Sequence, residues 1–543
     1  MLTLIRNGRV IDPAHDRDGT GDVWIEGERI IAAPGRAPDA THDATGKIVM
    51  AGAIDIHSHI AGANVSTARL LLPEAHRNHV ARPAATPLST AGWSTFQTGC
   101  LYAAMGYSLV VEPAVAPHQA LHAHLELSDI PIIDKATLSV LGNDDFLLGM
   151  IRDRESRAAI RDYVAAMLAA SRGLGIKVIN AGAATAFKYN LRGFDLDDVV
   201  PHYGVSSRAI VEALQQAAID IGVPHPLHVH ANNLGIAGNV ETALATIAAA
   251  RGLPMHLAHL QFYAYGKEGA KGFSSAAAQL AQAVNAHPNV TVDVGQVMFQ
   301  PTVTVSSDVM RQYNGMGSAK PKKSVIVDGD SNGGGVVPFT YAAKNFHNAV
   351  QWACGLELFL GITNPGQVFF TTDHPNGAPF TAYPALFALL MSRDLRAQWM
   401  ADLPKAAMDV THLASMTREY TFREIAAMTR VAPAKLLGVA DRGHLGPGSL
   451  ADVAVYHDVP DRAEMFRNAH LLVKNGDVVV RDGKVTHYRY GRALTLRPAY
   501  DAAMDRRLEA HCQSLYGLSH QRFAVEAASI ARPDPFAEVA CRS

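Results

Sequence analysis

Two histidines set two apart constrain this chain more than any other feature. His57 and His59 close the short apolar run Gly52-Ala53-Ile54-Asp55-Ile56-His57-Ser58-His59. Side chains at i and i+2 of a β-strand point to the same side. Both imidazoles therefore reach one metal ion, and Asp55 belongs to the same face. Lys177, His230, His259 and Asp373 follow in order, each at or just past the end of a strand-like segment. Functional groups at the C-terminal ends of successive strands are the pattern of a (β/α)8 barrel whose mouth carries the active site.

Eight candidate strands fit such a barrel. They end near His59, Pro113 (SLVVEP), Leu138 (PIIDKATL), Asn180 (GIKVIN), His230 (PLHVH), His259 (PMHLAH), Gly295 (VTVDVG) and Asp373 (VFFTTD). Ala-rich helical stretches at 155–172, 206–221 and 274–286 lie between several of them. This alternation favours an α/β barrel over an open doubly wound sheet.

Both ends of the chain read differently. Residues 1–50 carry short strands, with an Asn-Gly turn in TLIRNGRVID and a Glu-Gly turn in GDVWIEGERIIAAPG. Residues 441–490 repeat that style in LLVKNGDVVVRDGKVTHY. The expectation is a TIM-like barrel over 51–440 and a composite β-sandwich domain formed by both termini, from 1–50 and 441–490. Residues 491–543 read as an extension with one helix from 499 that adds no barrel element and suits subunit contacts. The runs 60–92 and 300–348, the latter with SNGGGVV at 331–337, are too long for plain loops. They read as lids or structured insertions.

Composition narrows the function. A net charge of −2 gives no broad basic surface, which argues against nucleic acid as a partner. Cys100, Cys354, Cys512 and Cys541 form no CxxC pair, so an iron–sulfur cluster, a cysteine zinc ribbon and a disulfide framework are not expected. The N-terminus MLTLIRNGRVIDP lacks a signal-peptide layout, and no uninterrupted apolar run is long enough to span a bilayer. The expectation is a cytoplasmic protein without membrane contact.

Each candidate ligand has a bland reading beside the chemical one. A lone HxH is more often two polar residues at a strand end. Lys177 in GIKVIN competes with a lysine that snorkels to the surface and with Lys188 in ATAFKYN as the metal-bridging lysine. A lysine ligates a metal only after losing its charge, and reaction with carbon dioxide gives a carbamate able to bridge two cations. Lys177 is preferred for its place at a strand end. His228 and His230 face one way, and His256 and His259 share the next strand. His230 and His259 are chosen because they lie nearer the C-terminal ends. His228 and His256 remain candidates for donors behind the ligands, or ordinary core histidines. Asp373, just before His374-Pro375, is a turn residue on the bland reading. On the chemical one it touches a metal and acts as the base that moves a proton to a leaving nitrogen.

The order HxH, strand-four Lys, strand-five His, strand-six His, strand-eight Asp resembles the amidohydrolase superfamily. TRVAPAKLLGVADRGHLGPGSLADVAVY resembles the segment with which those enzymes re-enter their β-domain. More narrowly, IKVINAG, LHVHANNLG, HLAHLQFYAYG and FFTTDHPNGAPF are similar to the A subunits of formylmethanofuran dehydrogenases and of bacterial formyltransferase/hydrolase complexes. The resemblance spans roughly residues 1–490. It implies two Zn2+ ions held by His57, His59, Lys177, His230, His259 and Asp373, with Lys177 as N6-carboxylysine. It also implies hydrolysis of the N-formyl group of a methanofuran-type C1 carrier, and a complex with a formyltransferase and other subunits. Carriers of that type bear glutamates, so the basic loop Lys320, Lys322 and Lys323 in SAKPKKS is a candidate to attract them. The alternatives are a cyclic-amide hydrolase of the same superfamily and a non-catalytic scaffold.

Overall fold

Eight short parallel strands, each near the end of its apolar run, build the centre of the computed structural model. The structure describes residues 1–71, 95–189, 191, 194–306 and 335–542. The barrel strands are β1 (Ala53–Asp55), β2 (Tyr107–Val115), β3 (Asp134–Leu141), β4 (Gly175–Ile179), β5 (Leu227–His230), β6 (Met255–Leu257), β7 (Val290–Asp293) and β8 (Val368–Phe369). They pair in sequence order, all parallel. The seam between β8 and β1 closes just beyond both strands. There Ser58 and His374 form a parallel bridge, and the His59 amide donates to the His374 carbonyl at 2.8 Å. The curled parallel sheet is the TIM-like barrel the sequence predicts.

The helices between the strands carry their own stop signals. Arg157–Ser171 and Ser207–Ile221 each begin at a serine, Ser156 or Ser206, whose hydroxyl accepts the amide three residues on. They end at Arg172 and Gly222 in the left-handed conformation. Phe346–Gly361 is buried along most of its length, with Trp352, Cys354 and Leu356 fully enclosed. Among the described residues no helix is long and apolar enough to cross a membrane.

The two termini share one nine-stranded sheet. Lys47–Ala51 pairs antiparallel with Val453–His457, which joins the N-terminal strands to the C-terminal ones. A separate apolar cluster, including Ile5, Val23, Val49, Val453 and Val473, lies beneath it. The Asn-Gly pairs differ in outcome. Asn475-Gly476 and Asp482-Gly483, all at positive φ, make the tight turns of a meander. Asn7-Gly8, expected to be a turn, instead forms a bulge inside one continuous strand, Leu2–Asp12. Asn7 sits at φ +61°, and a Cβ on Gly8 would lie 2.4 Å from Val49. Close packing against Val49, not a chain reversal, explains that glycine.

The tail also departs from expectation. Its helix is Ala503–Tyr516, but the tail also contributes β9 (Ala493–Thr495) and β10 (Phe536–Glu538). β9 pairs with Lys135 and Ala136 of β3, at the end where β4 has not yet begun, and β10 pairs with β9. The extension therefore continues the barrel sheet. Leu494 and Leu496 are buried, which the polar remainder of the tail concealed. Residues 72–94 and 307–334, which hold most of both expected insertions and the lysines Lys320, Lys322 and Lys323, lie outside the described residues.

A buried ion network ties the barrel to the terminal sheet. Lys474 Nζ lies 2.7 Å from Asp134 and 2.9 Å from Asp452, and Arg442 also binds Asp134. Burial alone would raise the Asp134 carboxyl, but Arg442 and Lys474 hold it far below the usual carboxylate range. Asp134→Asn leaves two cations short of a partner, and removing one member of a buried pair is strongly destabilising. We expect a loss of about 3 kcal/mol, at the low end because Asp452 remains beside Lys474, read by denaturant unfolding. Because the folded-state value is depressed, the stabilisation is present above the unfolded value near pH 4 and fades as pH falls below it. The mutant should lose that part of the acid dependence; an unchanged acid limb contradicts the assignment.

Candidate metal centre

Four side chains meet near the mouth of the barrel, three from beyond the ends of β1 and β8 and one, Lys177, from within β4. His57 Nε2 lies 3.1 Å and His59 Nε2 3.3 Å from Asp373 Oδ1, and Lys177 Nζ lies 3.4 Å from His57 Nε2. His230 Nδ1 and His259 Nε2 face each other at 2.9 Å. One donor atom each from His57, His259 and Asp373 falls within 4.8 Å of the others. A cavity of about 370 Å³ opens onto this group, lined in part by His59, Lys177, His230, His259 and Asp373. His228 and His256 do not line it.

Local backbone explains the convergence. β1 stops at Asp55, so His57 and His59 ride on the loop beyond it, fixed by the bridge to His374. His259 and Asp373 are in the left-handed region, at φ +34° and +51°. Such residues carry strain on the order of 1–3 kcal/mol and persist where surrounding structure imposes them. Gly295 makes room, because a Cβ there would lie 2.5 Å from the His259 Cβ. Lys177, His228 and His256 are direct partners on neighbouring strands, and His230 is one pleat repeat further along β5.

Two acids that the sequence pattern did not single out set the tautomers. His57 Nδ1 donates to Asp293 Oδ2 at 2.9 Å, and His59 Nδ1 faces Glu112 Oε1 at 3.1 Å. With Nδ1 carrying the proton, each Nε2 presents a lone pair toward Asp373 Oδ1, which itself has no well-aligned hydrogen bond. Lone pairs aimed at a carboxylate oxygen repel unless a cation lies between. Without a metal that cation is a proton. Burial lowers His59, but Glu112 and Asp373 outweigh it and hold the imidazolium up to about 9. The donor set of imidazoles, carboxylate and buried amine therefore fits a metal ion.

The surroundings also set the state of the other groups. Burial first, then the charge of Lys177, push His228 well below the usual histidine value. His259 is also well below it, by burial that Asp373 only partly offsets. Burial lowers Lys177 to about 8 against the pull of Asp373, Asp293 and Glu112. A neutral amine, the form that reacts with carbon dioxide, is thus within reach near neutral pH. His256 donates to Asp293 at 3.1 Å and His228 Nε2 lies 3.2 Å from His57 Nδ1, so both stand behind the ligands. The side chain of Lys188, the competing lysine, lies outside the described residues.

Asp55 is placed otherwise than expected. It does not share the imidazole face. It is fully buried and accepts from the Tyr102 and Tyr383 hydroxyls at 2.8 and 2.6 Å and from the His57 amide. The chain leaves the strand after Asp55, so the two-residue alternation stops there. The two missed acids had a faint signal: each falls near the end of a predicted strand, Glu112 in SLVVEP and Asp293 in VTVDVG.

A model of the amidohydrolase family matches residues 40–487. The chain belongs to the amidohydrolase family. It is 50% identical over 549 aligned residues, end to end in both chains, to the A subunit of the formyltransferase/hydrolase complex Fhc of Methylorubrum extorquens. It is 37% identical over 521 residues to protein FwdA of Methanocaldococcus jannaschii, covering 91% of this chain and 90% of that one. A crystal structure of the FhcABCD complex from Methylorubrum extorquens with methylofuran contains a chain that superposes with a TM-score of 0.95 at 50% identity, with both chains fully covered. The narrow resemblance carried by the motifs holds along the whole chain, and this amidohydrolase is a hydrolase with a cluster able to hold metal.

Asp293→Asn and Glu112→Gln should each weaken metal retention about 10–100-fold, since partners that orient a ligating imidazole carry that much. Metal lost to a competing chelator measures it. Retention equal to the unmutated protein contradicts the positioning role.

Proposed function

We propose that this amidohydrolase removes the N-formyl group from a methanofuran-type C1 carrier, yielding formate and the free amine. The observation that carries the reading is the end-to-end 50% identity to a component of a formyltransferase/hydrolase complex that was crystallised with methylofuran. We further propose that the metal set would be two Zn2+ ions held by His57, His59, His230, His259, Asp373 and Lys177, the last as N6-carboxylysine. Such ions supply Lewis acidity toward the formyl oxygen and a lowered pKa for bound water. Asp373 then does what a buried, ionised carboxylate beside them can do. Its carboxyl is pulled well below the usual range by His259 and His57 despite burial. It takes a proton from the attacking water at Oδ1 and delivers it to the amine nitrogen as the C–N bond breaks. Amines leave poorly unless protonated, so this transfer is part of turnover.

The same reading makes the chain the hydrolase component of a cytoplasmic complex with a formyltransferase and further subunits. The full-length similarity also favours a linear formyl substrate over a cyclic amide. Matches to dihydroorotases cover 11% of this chain, for example 49% identity over 63 residues with the enzyme of Solibacter usitatus.

Asp373→Asn should keep much of its zinc and lose about a hundredfold or more in kcat, as for a lost general base. Lys177→Ala should lose zinc and activity together, with partial recovery in short carboxylic acids or bicarbonate. His228→Ala and His256→Ala should harm activity less than His230→Ala and His259→Ala. Near-normal turnover by Asp373→Asn, or control of zinc content by Lys188, contradicts this assignment.

For the basic loop, replacing Lys320, Lys322 and Lys323 with alanine should raise KM for a glutamate-bearing carrier, flatten its salt dependence and spare kcat. An unchanged KM at low salt contradicts a steering role.

A further inference from the structure

A second cluster of metal-binding groups sits on the terminal sheet, outside the barrel cavity. His457 ends the strand Val453–His457, His470 directly precedes Leu471–Lys474, and Asp482 directly follows Asp477–Arg481. These strands are neighbours and antiparallel, with Val455 opposite Leu471 and Leu471 opposite Arg481. The end of the first, the start of the second and the end of the third therefore fall at one edge. The Asp482-Gly483 turn is fixed, with amides donating to the His470 and Ala469 carbonyls at 2.9 Å each.

The side chains converge as a ligand set. His470 Nδ1 lies 2.7 Å from Asp482 Oδ1, and His457 Nε2 lies 3.7 Å from the same oxygen. The imidazole centroids are 4.6 Å apart. One donor atom from each residue falls within 4.8 Å of the others. The hydrogen bond from His470 keeps the Asp482 carboxyl below its ordinary range, so it is ionised at neutral pH.

We propose that His457, His470 and Asp482 form a second, exchangeable site for a divalent transition metal, zinc foremost. Two imidazoles and one carboxylate suit zinc, nickel or copper and do not suit calcium or magnesium. Zinc bonds of about 2.0–2.2 Å put tetrahedral ligands roughly 3.3 Å apart. The 3.7 Å spacing is already close, and the 2.7 Å contact opens slightly when the ion replaces the shared proton. Side-chain exposure of 56% at His457 and 68% at Asp482 lets the ion enter without opening the fold and leaves a position for water. Arg481, directly before Asp482, places a positive charge beside the site and opposes the ion; half-buried His42 is lowered by burial first and then by Arg481. The site should therefore hold metal less tightly than the barrel does.

The test is a zinc count on the full-length protein, in whatever complex it forms, equilibrated at micromolar free zinc. The unmutated protein should hold one more ion per chain than the His470→Ala/Asp482→Asn double variant, with hydrolase activity unchanged. Copper added to zinc-loaded unmutated protein should give an electron-spin signal with two-nitrogen coupling that His457→Ala reduces to one. Equal zinc counts, an extra ion only at millimolar free zinc, or a copper signal indifferent to His457→Ala each overturns the proposal. His57→Ala should change the barrel ions and leave this count alone, so failure here is distinct from failure of the barrel assignment.

Discussion

One buried carboxylate holds the mouth of the barrel together. Asp293, fully enclosed at the end of β7, accepts from His57 Nδ1 and His256 Nε2 through one oxygen and from the His259 amide at 2.7 Å through the other. It thereby joins the loop after β1 to β6 and to the turn beyond it. A buried ion is costly unless it is paired and hydrogen-bonded, and here three donors meet its two oxygens. The orientation of His57, the left-handed turn at His259 and the lone pair aimed at Asp373 all follow from that carboxylate.

Around it the molecule separates stability from chemistry. The barrel core and the cluster under the terminal sheet are apolar and distinct, and the polar groups gather where strands end. The Asp134, Arg442, Lys474 and Asp452 network sits at the start of β3, where the terminal sheet and the tail meet the barrel. It serves the joint between sheets. The Asp293 and Glu112 pair serves the mouth. Both networks are buried and ionic, and their positions on the strands decide which role each plays.

Much of this was legible in the sequence. The eight strands fall near the apolar runs that predict them, and three of them, β1, β5 and β7, end on a polar residue, Asp55, His230 and Asp293. The HxH loop, Lys177, His230, His259 and Asp373 stand out by their places at strand ends, and the fold brings them near one cavity. What escaped was long-range or dependent on a single backbone angle. Asp293 reaches His57 across 236 residues, and its place near a strand end does not by itself name that partner. Asn7-Gly8 and Asn475-Gly476 carry the same signal, yet one is a bulge and the other a turn, because only packing against Val49 separates them. Asp55 turns away because the strand stops before the two-residue alternation can carry it to the imidazole face. The tail hid two strands of three residues each, too short for any periodicity to show.

The central claim is that the buried cluster cleaves a formyl C–N bond with the help of bound metal. The most direct measurement is single-turnover formate release from an N-formylated furfurylamine-type carrier, using protein first stripped of metal and then restored with zinc. The account predicts one formate and one free amine per formyl group consumed, absent after stripping and recovered on restoration, with no opening of hydantoin or dihydroorotate rings under the same conditions. Ring opening without formate release, or formate release indifferent to metal, would contradict it.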